Sequence, residues 1–517
     1  MRLGRVVLHP ILLAAYPVLF LFANNAADQV SFDALWLPLA GAVGAAMALL
    51  AVASLIFRDV HRGGLAATLL VVAFFAFGHV WNLVGATIGN RQILLVAWVL
   101  AVVIGLVIAW RMRRETARAA TGPLNLLAAI PLVLTLVSLG DFVINRSAAG
   151  AMISSVGGLL NSDDRAQPDI YYLVFDRYAG SPTLDKHFDF DNEPFLQELE
   201  SRGFFVARDS VSNYVKTNLS LTSSLNMEYL DQQALAERAR SPDDEGVINR
   251  EFQGQLVVPS SLKDLGYEFV LIPSWWSPSA SNVDADVTLR YEGISEFSLA
   301  LYETTLLSAL TAPLEEADPF SMDELRNYNL HQLQQMVEAP AIGGPKFVFA
   351  HVLLPHPPNL FNRDGDPFVG EQTSLSEDQK YIHQVEFANS EILRMLDEIE
   401  ARDGDNPAVV VIQADEGPFP DRYRENGDTF RWADATPEEL EIKFRILNAI
   451  RLPGVDAADA GFMDGMTPVN TFRIVFNVLL DAGLPLLPDR VYAHSDLRHF
   501  YDFIEITDRI PDWQPPR

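Results

Sequence analysis

The stretch Pro168-Asp-Ile-Tyr-Tyr-Leu-Val-Phe-Asp176 decides the fold. Ile170–Phe175 is an unbroken apolar and β-prone run held between a proline and an aspartate. A run of this length reads as a strand buried on both faces, the kind found in parallel sheets. Comparable runs recur at Glu268–Ile272, Phe347–Leu354, Ala408–Ala414 and Phe444–Leu452. Between the third and fourth of these, Ile382, Val385, Asn389, Ile392, Leu393, Leu396 and Ile399 fall at helical i+3 and i+4 spacing. Strands alternating with amphipathic helices predict an α/β domain over residues 169–517, a mainly parallel sheet with helices on both faces.

In such sheets ligands bind beyond the carboxyl ends of the strands. The first run ends in Asp176, the third runs into Pro355-His356-Pro357-Pro358, and the fourth ends in Asp415-Glu416-Gly417. A lone aspartate after a strand is ordinarily a cap or turn residue. Carboxylates and a histidine delivered to one edge by separate strands are the layout of a metal site, because hard cations need several ligands converging from rigid elements. The segment Asn213-Tyr-Val-Lys-Thr217-Asn-Leu-Ser220-Leu-Thr-Ser-Ser224-Leu-Asn226 is dense in hydroxyls and opens a predicted helix. A hydroxyl at a helix N-terminus beside a cation can become a nucleophile. The same cluster also reads as plain helix capping.

Residues 1–145 have a different character. Five apolar segments, roughly 6–23, 35–57, 65–86, 93–110 and 123–143, each approach the ~20 residues that cross a hydrocarbon core. Pro10 and Pro17 in the first are tolerated where neighbouring helices satisfy the freed carbonyls. Arg2 and Arg5, then Arg58 and Arg62, then Arg111, Arg113, Arg114 and Arg118 fall in alternate connections. The positive-inside rule therefore predicts a multi-pass bundle with a cytoplasmic N-terminus, and five crossings leave the C-terminal domain extracytoplasmic. Residues 146–168, small and polar, read as a linker.

Charge follows the same division. Residues 1–150 carry 10 Lys/Arg against 5 Asp/Glu, while the remainder carries 28 against 62, a net of −34. Such a domain repels polyanions, so nucleic acid is excluded as a partner, whereas a bound cation can still draw an anionic substrate. There is no cysteine, hence no disulfide, thiolate zinc site or thiol nucleophile.

The order Pro168–Asp176, then the Thr217-x-x-Ser220 stretch, then His351-Val-Leu-Leu-Pro-His356-Pro-Pro, then Asp415-x-Gly417 resembles the alkaline phosphatase superfamily. More narrowly it is similar to the membrane-bound sulfatase-like hydrolase/transferase proteins related to lipoteichoic acid synthases and lipid A phosphoethanolamine transferases. The resemblance spans about 165–490. It implies a bacterial inner-membrane enzyme with one divalent metal held by Asp176, Thr217, Asp415 and Glu416, Thr217 as catalytic nucleophile, and His356 as a substrate contact. It also implies transfer of a phosphoryl-linked head group, by way of a phospho-threonine, from a membrane lipid to an envelope lipid or glycan. A phosphodiesterase or phosphatase, and a catalytically silent envelope-binding protein, are the alternatives. No protein partner is deducible.

The chain departs from the family where Asp-His-Gly becomes Asp415-Glu416-Gly417. An all-oxygen site shifts preference from zinc toward Mn²⁺, Mg²⁺ or Ca²⁺. The sulfatase branch converts a cysteine or serine, and this chain has threonine at that position, which disfavours sulfate-ester hydrolysis. Lys216 and Arg363 are further candidates for phosphate binding. Arg422 and Arg424, flanked by Asp421 and Glu425, read rather as surface ion pairs. Trp275 and Trp276 suit either a substrate platform or the core, and Asn282, Asp284 and Asp286 suit turn chemistry.

Overall fold

The computed structural model describes residues 6–24, 33–149, 167–291, 296–310, 321–404 and 406–516. Most of the expected linker, 150–166, lies outside the described residues. The chain divides into two compact units: residues 1–147 with 292–324, and residues 148–291 with 325–517. The second unit was expected to run unbroken from 169. Instead the chain leaves it at 291 and rejoins it at 325.

The first unit contains α1 (His9–Asn24), α2 (Asp33–Phe57), α3 (Val60–Ile88), α4 (Arg91–Arg111) and α5 (Arg114–Ala149). Four of them, α2 to α5, are long and apolar enough to cross a membrane, and α1 is a shorter apolar helix. The protein is thus an integral membrane protein. The breaks between helices have local causes. Asp59 Oδ1 accepts hydrogen bonds from the His61 and Arg62 N–H groups and so caps α3. Gly89 closes α3 at φ 65°, and Asn90 then caps α4. Along α4, Val96, Leu100, Ile104 and Ile108 are all more than half exposed, which suits contact with lipid rather than water.

The second unit is built on a seven-stranded sheet: β1 (Ile170–Phe175), β2 (Phe205–Val206), β3 (Glu268–Ile272), β4 (Val287–Thr288), β5 (Lys346–Val352), β6 (Val409–Gln413) and β7 (Asn448–Arg451). The order is β2-β7-β6-β1-β5-β3-β4. Strands β4, β3, β5, β1 and β6 are mutually parallel, while β7 runs antiparallel to β6 and β2 antiparallel to β7. The sheet is therefore mixed but mainly parallel, with β1 at its centre. A small hairpin, β8 (Tyr492–His494) and β9 (Phe503–Glu505), lies outside it.

Both faces of β1 are covered, as its sequence requires. Tyr171, Leu173 and Phe175 enter one core with Val385, Ile392 and Leu396 of the helix Glu377–Glu400. Ile170, Tyr172 and Val174 enter the other with Leu221, Phe349 and Phe472. The long helix starts at Ser376 with a capping box closed by Gln379.

Candidate active site and metal centre

Parity along the strands sets the site. Alternate residues of a strand share a face. Tyr172 and Val174 of β1, Phe347 and Phe349 of β5, and Val409 and Val411 of β6 all point into one core. Continuing the same alternation places Asp176, His351 and Asp415 on that face at the carboxyl edge. In register, Val174 pairs with both His351 and Gln413. One ligand atom from each of Asp176, His351 and Asp415 lies within 4.8 Å of the others, and all three residues are buried.

The three side chains fit a divalent cation. Asp176 Oδ1, both Asp415 carboxylate oxygens and His351 Nε2 are buried without a hydrogen-bond partner. His351 Nε2 lies 3.7 Å from Asp176 Oδ2 and 4.0 Å from Asp415 Oδ2. The other ring nitrogen, Nδ1, is 3.0 Å from Ser279 Oγ. That contact fixes the ring and leaves Nε2 facing the carboxylates, as partners behind metal-binding histidines do. Burial pushes the His351 imidazole down to about 3, so it is neutral and able to ligate. Burial, then the charge of Glu416, pushes Asp415 up to about 7. Asp176 is also held well above the usual carboxylate range by burial and by Asp415. Two buried carboxylates side by side are costly without a cation.

Thr217 is the first residue of the helix Thr217–Asn226. One turn on, Ser220 Oγ donates 2.7 Å to the Asp415 carbonyl and ties that helix to the end of β6. The Thr217 hydroxyl, not hydrogen-bonded to the Asp415 carboxylate but near enough to be felt, opposes the rise in the Asp415 pKa. The free N–H groups and dipole of the helix start favour an anion at this point.

Glu416, expected as a metal ligand, divides its carboxylate: Oε2 is buried without a hydrogen-bond partner, while Oε1 is held by two cations. Its Oε1 is 2.9 Å from Lys443 Nζ and 3.2 Å from Arg177 Nε. His351, which was not among the expected ligands, joins Asp176 and Asp415 in the cluster. Lys443 Nζ also donates 3.0 Å to the Gly417 carbonyl. Gly417 is required here, because a Cβ would come within 2.4 Å of the Ile442 carbonyl oxygen. Three cations surround the ring of Phe419: Lys443 Nζ at 3.5 Å, Arg177 Cζ at 4.3 Å and Lys216 Nζ at 5.3 Å from its centroid. Phe419 in turn stacks on Tyr423 at 4.2 Å. Arg177 reaches this position from a left-handed backbone, φ 61°.

A cavity of about 120 Å³ opens over these groups, lined by Asp176, Arg177, Lys216, Thr217, Asn218, Glu245, Trp275, Trp276, Leu353, His356 and Glu416. The two tryptophans each meet a histidine edge-on: Trp275 with His356 at 6.2 Å and Trp276 with His351 at 5.7 Å. His356 Nε2 is 3.9 Å from Asp176 Oδ2. Burial and then Arg177 hold its imidazole well below the ordinary range. Asn218 Nδ2 donates to Asn249 Oδ1 at 2.8 Å and to Glu245 Oε2 at 3.2 Å, fixing the mouth.

Arg363, expected to bind substrate, is not among the lining residues. Its backbone N–H donates to His383 Nδ1 and its guanidinium pairs with Glu386 at 3.3 Å, which holds it on the surface of the helix Glu377–Glu400. Arg422 pairs with Glu439 and Arg424 with Asp421 and Asp378. Asn282 bonds the Phe252 and Gly254 carbonyls, and Asp284 and Asp286 bond Ser260 and Lys263, so these serve turn structure.

Residues 186–442, which include Thr217, His351 and Asp415, match the family described as Sulfatase. The chain is similar to the solved C-terminal periplasmic domain of EcEptC from Escherichia coli: 12% identity over 68% of this chain and 96% of that one, TM-score 0.41. The corresponding domain of the phosphoethanolamine transferase EptC from Campylobacter jejuni gives 10% identity, 69% and 98% coverage and a TM-score of 0.39. The phosphonate monoester hydrolase of Agrobacterium radiobacter gives 11%, 63% and 80%, and 0.39. None of the curated proteins compared matches the chain. The sulfatase-like domain makes the protein a hydrolase or transferase of sulfate or phosphate esters.

Proposed function

We propose that this chain, whose residues 186–442 match the family described as Sulfatase, transfers a phosphoryl-linked head group from a membrane lipid to an envelope acceptor through a phospho-threonine on Thr217. The observation that carries the reading is the placement of Thr217 at a helix start, on the rim of a cavity floored by Asp176 and walled by Arg177 and Lys216. Asp176, Asp415 and His351 would hold a divalent cation, with Thr217 beside them. Such a cation, when bound, supplies charge to offset the phosphoryl oxygens and lowers the pKa of a nearby hydroxyl.

The chain's own residues account for the rest. Arg177 and Lys216 meet the anionic oxygens. The Thr217 Oγ–P bond forms as the P–O bond to the leaving group breaks. The Thr217 proton is lost to solvent, and the departing alkoxide, on the opposite side of phosphorus, takes up a proton relayed from solvent through His356. An acceptor alcohol then attacks phosphorus, giving its proton up through the same histidine and restoring the threonine. Water in that role makes the enzyme a phosphodiesterase.

Covalent attachment of the domain to a set of membrane-spanning helices suits a lipid donor. In this reading the N-terminus is cytoplasmic and the catalytic domain extracytoplasmic. The test is to incubate purified full-length protein, and Thr217→Ala, with bacterial lipid extract and Mn²⁺, Mg²⁺ or Ca²⁺. Mass spectrometry should show diacylglycerol release and an adduct on Thr217 in the unmutated protein alone. Release by Thr217→Ala at the same rate would overturn the assignment.

A further inference from the structure

Residues 292–324 interrupt the catalytic domain in sequence yet belong to the membrane unit. Among the described residues of this insert are two short helices, Glu296–Thr304 and Leu307–Leu310. Phe297 is 2% exposed and sits in one apolar cluster with Val18, Phe22, Leu35, Val71 and Phe75. Its ring meets that of Phe22 edge-on at 5.7 Å. Leu301 packs on the same cluster.

The depth of the contact can be read from α4. Arg91 opens that span, and its guanidinium lies over the rings of Trp81 and Phe77 at 5.7 and 5.9 Å. Arginine and tryptophan together mark a membrane–water interface. Trp98, seven residues or about 10 Å further along the helix, donates 3.0 Å to the Ala73 carbonyl. The next carbonyl of α3, that of Phe74, accepts 2.7 Å from the Leu306 N–H. The turn between the two short helices therefore lies about 10 Å inside the span.

Irregular backbone survives at such depth only when its polar groups are satisfied by protein. This turn meets that demand. Thr304 and Thr305 donate their hydroxyls to the Leu301 and Tyr302 carbonyls, and Ser308 Oγ donates to Thr305 O at 2.8 Å. Arg91 Nη2 donates 2.6 Å to Ser308 Oγ. The fit also depends on Gly78, since a Cβ there would come within 2.1 Å of the Glu303 carbonyl oxygen. Leu307 and Leu310, by contrast, are 44% and 61% exposed, as are leucines and valines along α4. Glu303 lies one turn nearer Arg91, where its exposed carboxylate can reach the interface.

We infer that Glu296–Leu310 is a re-entrant membrane segment: it dips into the apolar layer from the Arg91 side, docks in the notch at Gly78, and presents Leu307 and Leu310 to lipid acyl chains. The catalytic domain is then held to the bilayer at a second place in its sequence. The inference stands whichever ester the enzyme uses.

The cysteine-free chain allows a direct test. Leu307→Cys, Leu310→Cys and, as a water-facing control, Val455→Cys would each be made in the full-length protein, in membrane fragments open on both sides. A membrane-impermeant maleimide should label the first two at least tenfold more slowly than the third. A bimane on Leu310→Cys should be quenched by lipids bearing a nitroxide at acyl carbon 5, and one on Val455→Cys should not. Adding Gly78→Leu should bring labelling of Leu310→Cys up to the control rate. Labelling of Leu307→Cys and Leu310→Cys as fast as the control, with no nitroxide quenching, would overturn the segment's placement in lipid. Slow labelling that survives Gly78→Leu would overturn the notch.

Discussion

Lys443 Nζ and Glu416 Oε1 form a buried ion pair 2.9 Å apart, with side chains 0% and 1% exposed. Burial pushes the Lys443 ammonium down to about 7, against the pull of Glu416. Oε1 of this carboxylate is thereby paired with a cation of the protein's own, while Oε2 is buried without a hydrogen-bond partner. The candidate metal cluster includes a residue of β5, His351, beside Asp176 and Asp415.

Removing the charge of Glu416 should therefore cost stability more than metal affinity. Glu416→Gln leaves Lys443 buried and unpaired, an effect of about 3–5 kcal/mol where one partner of a buried pair is lost. Ser279→Ala, which deprives His351 Nδ1 of its partner, should weaken metal binding roughly 10–100-fold with little loss of stability. Calorimetric titration of Mn²⁺ into both variants, with thermal melts, checks this. If Glu416→Gln weakened the metal as much as His351→Ala did, Glu416 would be a ligand.

Metal uptake should strengthen as pH rises from 5 to 8. Asp415 titrates near 7 and Asp176 well above its ordinary value, so in the empty site both hold protons in the acid range. A cation must displace those protons, and its binding releases them. Affinity therefore increases with pH through the range near 7 in which Asp415 gives up its proton. Titrations in buffers of different ionisation enthalpy would count the protons. Affinity that is flat between pH 5 and 8 would contradict the raised carboxylates.

Thr217→Ala should abolish turnover, by on the order of 10³-fold or more for loss of a nucleophile. Its effect on stability should stay within about 1 kcal/mol, since the residue is only half-buried. Thr217→Ser keeps the hydroxyl and should retain activity. Turnover of a chromogenic phosphodiester by the three proteins decides between a nucleophile and a capping residue.

Trp432→Ala should destabilise the second unit by about 3–5 kcal/mol. The side chain is 0% exposed and packs against Phe430, Tyr423, Phe444 and Phe419 at centroid distances of 4.9, 5.5, 5.9 and 6.4 Å. Phe419 carries the three cations of the site, so KM for an anionic substrate should rise as well. Lys216→Ala should raise KM without the loss of stability, as assayed by urea unfolding beside kinetics.

The sequence alone determined the architecture. Ile170–Phe175 and Glu268–Ile272 have the bounds read from composition, because a strand buried on both faces has no polar position to blur its ends. The placement of Asp176, Thr217, His356 and Asp415 near one edge is legible because each follows a strand or opens a helix, where backbone geometry points side chains at that edge. His351 was within reach, as a polar residue at the parity of Phe347 and Phe349. It lies inside the strand rather than after it, where the sequence pattern alone gives no sign that a polar side chain reaches the edge.

What only the tertiary structure decided depends on contacts between distant segments. Lys443 is an ordinary residue near a helix end until Gly417 lets its backbone close on the Asp415-Glu416 turn. Arg363 is as cationic as Arg177, yet the helix carrying His383 and Glu386 holds it away from the site. The insert Glu296–Leu310 is too short to read as a span, and its apolar face acquires meaning only against Phe22, Val71 and Phe75. Local pattern fixes periodicity and burial. Which carboxylate meets a lysine and which faces a metal is fixed by close packing, where a single Cβ at Gly417 or Gly78 would force the chains apart.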